Sequence, residues 1–317
     1  MFLKILESIE KNDTIVIFGH INPDGDCYGS QIGLRNSLRL AYPNKKIYAS
    51  GSGLPIFYDY IGEMDQVPFE TIKHSLAIIV DGNDLSRMED ERCLYAIDFA
   101  KIDHHIDTGT FAQGPYVVDT KANSTCELIT KFIIECHLPI DKSIANALFL
   151  GMLTDTGRFQ FVNDFVEVFH LSAYLCEHGA DPKKINCILN AVDEKSLKVK
   201  GYIYTHFKKT KGGTLYIVLK QEELKELDVD SNYISNLINL LGNVKGYPCW
   251  ATFVETNEHR LRCEFRSNGP AVQPIALKYG GGGHLLASGA TLKEFKLEII
   301  LDIIKDIDEA IANFKGE

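Results

Sequence analysis

Short apolar runs alternate with segments of helical periodicity along the first half of the chain. Runs rich in Val, Ile and aromatic residues predict strands at residues 14–20, 46–50, 76–82 and 99–105. Helical spacing of apolar residues lies between or after them, for example at residues 30–40 and 126–136. Strands that alternate with helices in this way predict an α/β fold, in which a mostly parallel sheet carries helices on both faces.

The pattern changes in the second half. Residues 142–207 are predicted to be mainly helical, and strands return after about residue 190. We expect antiparallel strands at residues 214–220, 247–256 and 259–267, and helices at residues 231–241, 271–279 and 293–313. The prediction is therefore a parallel-sheet domain over residues 1–190, a linker helix over 191–205, and a smaller α/β domain with a mixed sheet over 206–317.

Composition and charge narrow the class of protein. The 317 residues carry 33 Lys and Arg against 43 Asp and Glu, a net charge of −10, and 45% are hydrophobic, as in an ordinary globular protein. The chain has no run of about eighteen apolar residues, so no membrane span is predicted, and its charged opening segment does not resemble a secretory signal. Eight cysteines without a CxxC pair suit buried thiols in a reducing cytoplasm. The acidic balance argues against tight binding of long duplex DNA, so we expect a cytoplasmic two-domain enzyme.

Candidate chemistry lies where the predicted strands end. His20 ends the first run, Asp81 the third, and Asp-His-His at residues 103–105 the fourth. A tight Asn-Pro-Asp-Gly turn after His20 would let Asp24 and Asp26 converge on it. In parallel sheets, ligands bind at the carboxyl ends of the strands. This edge of the sheet is therefore the first candidate site.

Each piece of this cluster has a structural explanation by itself, because an Asp at a strand end often caps a helix or a turn. The set as a whole does not, because carboxylates brought together at one edge would repel each other. Divalent cations would remove that penalty. Carboxylate and imidazole donors, with no thiolate at these positions, favour Mn²⁺ or Mg²⁺ over a structural zinc ion.

These motifs also carry a family resemblance. In order and spacing, the chain resembles the DHH phosphoesterase superfamily through HINPDGD at residues 20–26, Gly-Ser at 29–30, the strand end at Asp81, DHH at 103–105 and TDTGRF at 154–159. The resemblance implies two divalent metal ions, with Mn²⁺ expected first and Mg²⁺ as the alternative. It implies that one metal ion is held by His20, Asp24 and Asp81. It implies that the other is held by Asp26, Asp81, His104 and Asp155, with Asp81 as the bridge.

The resemblance implies further roles around the metal ions. His105 would face the substrate phosphate, and Asp103 would orient a neighbouring imidazole, so that these two and Asp81 form the predicted catalytic set. Two metal ions can activate water for in-line attack, so no protein nucleophile is assigned. Further candidates for substrate contact are Arg87, Ser124 and Arg158. The two arginines could equally be surface salt-bridge partners.

A glycine-rich motif near the C-terminus is the second candidate site. Residues 280–283 are four consecutive glycines, followed by His284 and then by Ala-Ser-Gly-Ala at 287–290. Ordering four glycines costs entropy, and the predicted helix before them and strand after them disfavour a flexible linker. Bare backbone N–H groups can approach a phosphate or a nucleobase closely. Upstream, Arg262 and Arg266 share one face of a predicted strand, where two guanidinium groups could hold successive phosphates.

This motif and the preceding CEFRS at residues 263–267 resemble the DHHA1 domain, although Ser288 stands where that motif often has Ala. The resemblance implies that substrate is bound by Arg262, Arg266, Gly281, Gly282, Gly283 and His284. A compact chain with both domains is most similar to bacterial nanoRNases and pAp phosphatases. These enzymes degrade short oligoribonucleotides and remove phosphate from 3′-phosphoadenosine 5′-phosphate (pAp), and the resemblance implies the same substrates here.

Alternatives stay open at this point. The same metal ions could serve a phosphodiesterase for linear or cyclic dinucleotide signals, or a RecJ-like single-strand exonuclease, although those exonucleases are usually longer. A non-enzymatic nucleotide-binding regulator would have lost a metal-binding residue, whereas all six implied ligands are present. Apolar segments such as residues 234–241 could serve a homodimer.

Overall fold

The computed structural model describes residues 1–82, 84–106, 113–235 and 237–314. The chain divides into two compact units, Met1–Ala191 and Val192–Glu317. None of the helices in the described part of the chain combines the length and the apolarity that a membrane crossing requires. The eight cysteines are all free thiols.

The first unit contains a five-stranded sheet in which every neighbouring pair is parallel. Its strands are β1 (Thr14–Phe18), β2 (Lys46–Ser50), β3 (Leu76–Val80), β4 (Asp98–Asp103) and β5 (Tyr116–Val118). Their order is β2-β1-β3-β4-β5, so the chain proceeds in opposite directions from β1 and a switch point lies between β1 and β3. The predicted α/β fold with a parallel sheet is confirmed, and only the short strand β5 was not anticipated.

Helices cover this sheet, which explains why its central strands β1 and β3 are mainly apolar. All five residues of β3 are buried, the pattern of a parallel strand packed on both faces. The helices are α1 (Leu3–Lys11), α2 (Gly25–Ala41), α3 (Tyr58–Ile61), α4 (Phe69–Lys73), α5 (Thr125–Glu135), α6 (Lys142–Asp155), α7 (Phe165–Glu177) and α8 (Pro182–Leu189).

Helices α2 and α6 approach each other closely at glycines. A Cβ atom at Gly29 would lie 2.3 Å from the Ala147 carbonyl oxygen, and one at Gly151 would lie 2.7 Å from Asp26 Oδ1. Glycine is required there because no side chain fits in the space. Because α6 ends at Asp155, this packing brings two carboxylates of distant sequence to the same end of the sheet.

The second unit contains a six-stranded mixed sheet in the order β10-β11-β9-β8-β7-β6. Its strands are β6 (Lys208–Lys209), β7 (Thr214–Leu219), β8 (Cys249–Glu255), β9 (Leu261–Ser267), β10 (Gly282–His284) and β11 (Ala287–Leu292). Its helices are α9 (Glu194–His206), α10 (Gln221–Glu226), α11 (Ser231–Ser235), α12 (Gln273–Lys278) and α13 (Leu297–Asn313).

Two expectations for this unit are corrected. Strands β7 and β8 are parallel rather than antiparallel, because α10 and α11 cross over between them and parallel neighbours need such a connection. The helix expected at residues 231–241 is two elements, α11 and a 3₁₀ turn at Ile238–Leu241. Asn236, in the apolar segment considered for a homodimer, lies outside the described residues.

The predicted linker helix corresponds to α9, which lies in the second unit. Its Val199 and Ile203 are buried and share an apolar cluster with Leu215 and Ile217 of β7. The position of this helix as a linker between domains stays a prediction.

Candidate active site

The carboxyl ends of β1, β3 and β4 carry a group of carboxylates and imidazoles that we call the strand-end site. It comprises His20, Asp24, Asp26, Asp81, His104, His105 and Asp155. Asp81 directly follows β3 and has a left-handed backbone with φ of 54°, a conformation that Asp tolerates better than most residues. Its N–H still donates to the Ile102 carbonyl of β4 (3.2 Å), so the strand end is fixed at the switch point of the sheet.

Asp81 faces a different imidazole with each of its carboxylate oxygens. Oδ2 lies 3.3 Å from His20 Nε2, and that nitrogen is 4.0 Å from Asp24 Oδ1. Oδ1 lies 3.5 Å from His104 Nε2. The Asp81 side chain is 2% exposed, so a buried carboxylate joins the two halves of the site.

His104 faces three carboxylates at once. Its Nε2 lies 3.2 Å from Asp155 Oδ2 and 3.9 Å from Asp26 Oδ2, in addition to the contact with Asp81. Asp155 is the last residue of α6 and Asp26 lies in the first turn of α2. The two-group arrangement implied by the sequence, with Asp81 between the groups, is thus compatible with the observed distances.

The first turn of α5 holds two of these carboxylates. Asp26 is fully buried and accepts hydrogen bonds from the backbone N–H groups of Thr125 (2.6 Å) and Cys126 (2.9 Å). The Thr125 hydroxyl donates to Asp81 Oδ1 (3.0 Å). A helix N-terminus favours negative charge, so this turn stabilises carboxylates that would otherwise repel each other.

Electrostatic strain nevertheless remains. Burial raises the pKa of Asp26 well above its usual range, and the carboxylates of Asp81 and Asp155 raise it further. Burial, then Asp81 and Asp24, raises the pKa of Asp155 to about 7. The hydrogen bond to Asp81 raises the pKa of His20 to about 9, against the effect of burial. Neighbouring negative charge contributes to all three shifts, and a divalent cation would relieve that part.

The donor atoms are close enough to share cations. Within the described ranges, three sets of donors have ligand atoms within 4.8 Å of one another. These sets are His20, Cys27 and Asp81; Asp81, His104 and His105; and Asp26, His104 and Asp155. Oxygen and imidazole donors dominate, so the residues fit a pair of ions such as Mn²⁺ or Mg²⁺.

His105 pairs with Asp103 and also faces Asp81, whose Oδ1 lies 3.5 Å from His105 Nδ1. Asp103 Oδ1 accepts from the His105 backbone N–H (3.1 Å) and lies 2.9 Å from His105 Nδ1. Lys101 Nζ lies 3.4 Å from Asp103 Oδ2, and both side chains are buried. The hydrogen bond to Asp103 raises the pKa of His105. Its ring is 43% exposed, so a readily protonated imidazole is available to an anion.

A second group, on the sheet of the other unit, is called the glycine-rich site. It comprises Arg262, Glu264, Arg266 and residues 280–284. The three charged residues alternate along β9, and Glu264 pairs with both arginines, at 3.2 Å from an Arg262 nitrogen and 3.5 Å from Arg266 NH1. A pocket of about 380 Å³ is lined by Arg262, Cys263, Glu264, Gly280, Gly281, Gly289, Ala290 and Thr291.

Packing explains part of the glycine run. A Cβ at Gly281 would lie 2.0 Å from the Gly289 carbonyl oxygen, and one at Gly283, where φ is 131°, would lie 2.7 Å from the Ala287 carbonyl oxygen. Both are therefore required by the close pairing of β10 with β11. Gly282 faces open space and His284 is exposed, so these two remain accessible to a ligand.

Comparison with known proteins identifies the family. Residues 14–152 match the N-terminal domain of the DHH family, and residues 211–313 match the DHHA1 domain. The chain belongs to the DHH–DHHA1 phosphoesterase family.

Relatives in this family cover nearly the whole chain. The bifunctional oligoribonuclease and PAP phosphatase NrnA of Mycoplasma genitalium is 33% identical, over 95% of this chain and 96% of its own. The protein of the same name from Bacillus subtilis is 31% identical, over 92% and 93%. The crystal structure of an exopolyphosphatase-related protein from Bacteroides fragilis superposes with a TM-score of 0.81 at 25% identity, covering 96% of this chain and 94% of its own.

The other candidates in the DHH domain differ in position. Arg87 lies on a 3₁₀ turn and is exposed. Its backbone carbonyl accepts a hydrogen bond from the N–H of Ile21 (2.8 Å), the residue after His20. Arg158 is exposed, three residues after Asp155. Ser124 is buried, and its hydroxyl oxygen accepts from the Glu127 N–H (3.0 Å) as the cap of α5. Substrate contacts by these three stay predictions.

Sequence reasoning missed three residues of the DHH domain. Thr125 binds Asp81, and the Ser-x-x-Glu pattern at residues 124–127 is the signal that a helix begins beside it. Cys27 brings a buried thiol near His20 and Asp81, although thiolates were discounted. Lys101 is a buried lysine next to Asp103. Nothing in the sequence around this strand residue indicates that its side chain pairs with Asp103.

Proposed function

We propose that this protein is a two-metal phosphoesterase that hydrolyses short oligoribonucleotides to mononucleotides and removes a phosphate from pAp. The observation that carries the proposal is the position of Asp81, whose two oxygens face two separate imidazoles while further carboxylates surround it. The activities named for the NrnA relatives support the choice of substrates.

The metal ions would be held as the family pattern implies. One would bind His20, Asp24 and Asp81, and the other would bind Asp26, Asp81, His104 and Asp155. When bound, two such ions lower the pKa of water and clamp the phosphoryl oxygens. We propose Mn²⁺, with Mg²⁺ as the alternative, since the donors are mainly carboxylates and imidazoles.

The remaining groups of the site orient the phosphate. Asp103 holds His105 through Nδ1, which leaves Nε2 free to donate a hydrogen bond to a phosphate oxygen. Lys101 lies beside Asp103 and favours its ionised form, which in turn favours the protonated form of His105. The chain supplies positioning and charge, and water is the nucleophile.

The glycine-rich site would bind the nucleotide. Arg262 and Arg266 carry guanidinium groups on one face of β9, and such groups bind phosphates well. Gly282 and His284 lie on β10, which β11 separates from β9, and they present an open edge of the same sheet. A bound phosphate would compete with Glu264 for both arginines.

The experiment is a hydrolysis assay with Mn²⁺ and with a chelator, on labelled RNAs of two to about twenty nucleotides, which spans the usual footprints of single-strand binding, and on pAp. We expect metal-dependent mononucleotide release from only the shortest RNAs, together with phosphate release from pAp. Degradation of long RNAs would indicate a RecJ-like exonuclease. If neither the RNAs nor pAp are hydrolysed, the proposal is contradicted. Dinucleotide signals would then be the next substrates to test.

We also propose a cytoplasmic location, which the eight free thiols support. Weak binding of long duplex DNA is expected from the net charge of −10. Self-association as a homodimer stays a prediction, which sedimentation of the purified protein would test.

A further inference from the structure

An exposed phenylalanine lies close to the strand-end site. Phe161 is 73% exposed, six residues after Asp155, and its ring packs over the backbone of Gly157. A Cβ atom at Gly157 would lie 2.6 Å from Phe161 Cδ2. The protein therefore keeps a large apolar ring in solvent next to a carboxylate that faces His104.

The segment that carries this ring is tied at both ends to the strand-end site. The carbonyl of Thr156, the neighbour of Asp155, accepts from the N–H groups of residues 160 and 161 (both 2.9 Å). At the other end, the Asn163 N–H donates to Asn123 Oδ1 (2.6 Å). Asn123 lies two residues before the Thr125 that binds Asp81 and Asp26. Phe161 thus lies on a segment whose two ends are hydrogen-bonded to residues close in sequence to Asp155 and Thr125.

The backbone of this segment is unusual. Gly157, Arg158 and Phe159 have φ values of 55°, 62° and 62°, and a left-handed conformation is unfavourable for the latter two. The Phe159 ring anchors the turn, because it packs against Phe149 (centroids 6.2 Å apart) and Phe169 (5.5 Å). Phe159 therefore has a packing role, whereas Phe161, whose ring packs on Gly157, remains largely in solvent.

The same turn presents a positive charge. Arg158 is exposed, and across the described ranges its guanidinium forms no ion pair or hydrogen bond with another residue. An available guanidinium and an available aromatic ring, three residues apart, suit the phosphate and the base of one nucleotide.

We propose that Phe161 is a base-stacking platform, on which a nucleobase of the substrate lies while its phosphate is at the strand-end site and contacts Arg158. This inference rests on the proposed function and specifies its substrate class: a nucleotide with a base, of any sequence, because every base has a π-face that can stack. It also predicts a preference for nucleotides over simple phosphate esters.

The first test compares Phe161→Leu with the wild type on pAp and on its abasic analogue, in which a tetrahydrofuran ring replaces adenosine. Leu keeps the apolar volume and loses the flat ring. We expect KM for pAp to rise about tenfold, with KM for the abasic analogue unchanged. Phe165→Leu, the same change at another exposed ring, is the matched control and should leave both values unchanged. Equal changes on both substrates, or no change, would overturn the inference.

The second test reads binding without turnover. Phe161→Trp adds a fluorophore at this position, and the only other Trp, Trp250, is buried in the second unit and gives a constant background. With Mg²⁺ present, AMP should quench the new fluorescence and ribose 5-phosphate should not. If AMP does not quench this fluorescence, the ring is not a stacking platform. If Phe161→Leu changes only the sedimentation coefficient, the exposed ring serves self-association instead. Quenching by AMP in a protein that cannot hydrolyse pAp would instead contradict the proposed function and leave the stacking intact.

Discussion

The strand-end site and the glycine-rich site differ in how their charged groups are balanced. In the strand-end site, Asp26, Asp81 and Asp155 crowd together, and the pKa values of Asp26 and Asp155 rise. In the glycine-rich site, Glu264 lies between two arginines and pairs with both. The first arrangement is unfavourable until a cation arrives, whereas the second is already paired and must exchange partners to bind a phosphate.

The two sites should therefore respond differently when a charged side chain is removed. Removing a charge from the strand-end site should affect chemistry and cation affinity most. Removing one from the glycine-rich site should affect nucleotide affinity and leave chemistry on a minimal ester intact.

The largest effect is expected for Asp81→Ala. Asp81 is the only described carboxylate that faces both His20 and His104, so its loss should remove both halves of the site. We expect kcat for pAp to fall by a factor on the order of a thousand, the equivalent of several kcal/mol of lost charge stabilisation. The measurement is kcat together with the metal content of the purified protein. Asp84→Ala, three residues away, is the matched control, and retained turnover with normal metal content would contradict the two-metal assignment.

A smaller, selective effect is expected for Arg266→Ala. A charge-assisted hydrogen bond to phosphate contributes about 1.5–3 kcal/mol, so KM for pAp should rise roughly ten- to a hundredfold. KM for p-nitrophenyl phosphate should change far less, because that ester carries a single phosphate and no nucleoside. The control is Arg260→Ala, which removes an exposed guanidinium paired with Glu258. Equal effects on both esters would exclude Arg266 from the nucleotide site.

The glycine run separates packing from binding. Gly281→Ala should destabilise the protein by about 1–3 kcal/mol, because the new methyl group meets the Gly289 carbonyl. Gly282→Ala has open space around it and should change stability by less than about 1 kcal/mol. Urea unfolding of both variants measures the difference. If they unfold alike, the packing explanation for Gly281 is wrong.

Much of the strand-end site could be predicted because its signals are local. A buried parallel strand is a continuous apolar run, and a polar residue that ends it marks the sheet edge with the candidate site, as at His20 and Asp81. The contacts that hold the site were not local. Thr125 meets Asp81 from 44 positions away and Asp26 from 99, and no spacing rule predicts such a pairing.

The same limit explains the errors in the second unit. Apolar alternation identified β7 and β8, but their relative direction depends on how the chain between them packs. The glycine run suggested close approach of a ligand, whereas at Gly281 the approaching group is the protein's own β11. The glycine run indicates that a side chain is excluded at this position. Only the fold shows that the excluding neighbour is the Gly289 carbonyl.

The smallest effect concerns Asp155 and pH. Its pKa of about 7 in the folded protein lies above the usual value, so without metal the folded state binds more protons than the unfolded state between about pH 4 and pH 7. Stability then falls as pH rises through this window. Asp155→Asn cannot ionise and therefore does not lose this stability. In the presence of a chelator, the variant should melt a few degrees above the wild type at about pH 8. At about pH 5 the difference in melting temperature should be much smaller.

Adding Mn²⁺ should invert the sign of this difference. Without metal, the ionised Asp155 carboxylate destabilises the folded protein, whereas with metal it would coordinate the cation. Binding of a cation to the folded state raises the stability of that state. Wild type should then melt above Asp155→Asn at about pH 8, where protons compete least with the metal. Asp302→Asn, an exposed change on α13, should respond like the wild type. If Asp155→Asn melts above the wild type with and without metal, Asp155 does not ligate a cation, and crowding rather than coordination explains its raised pKa.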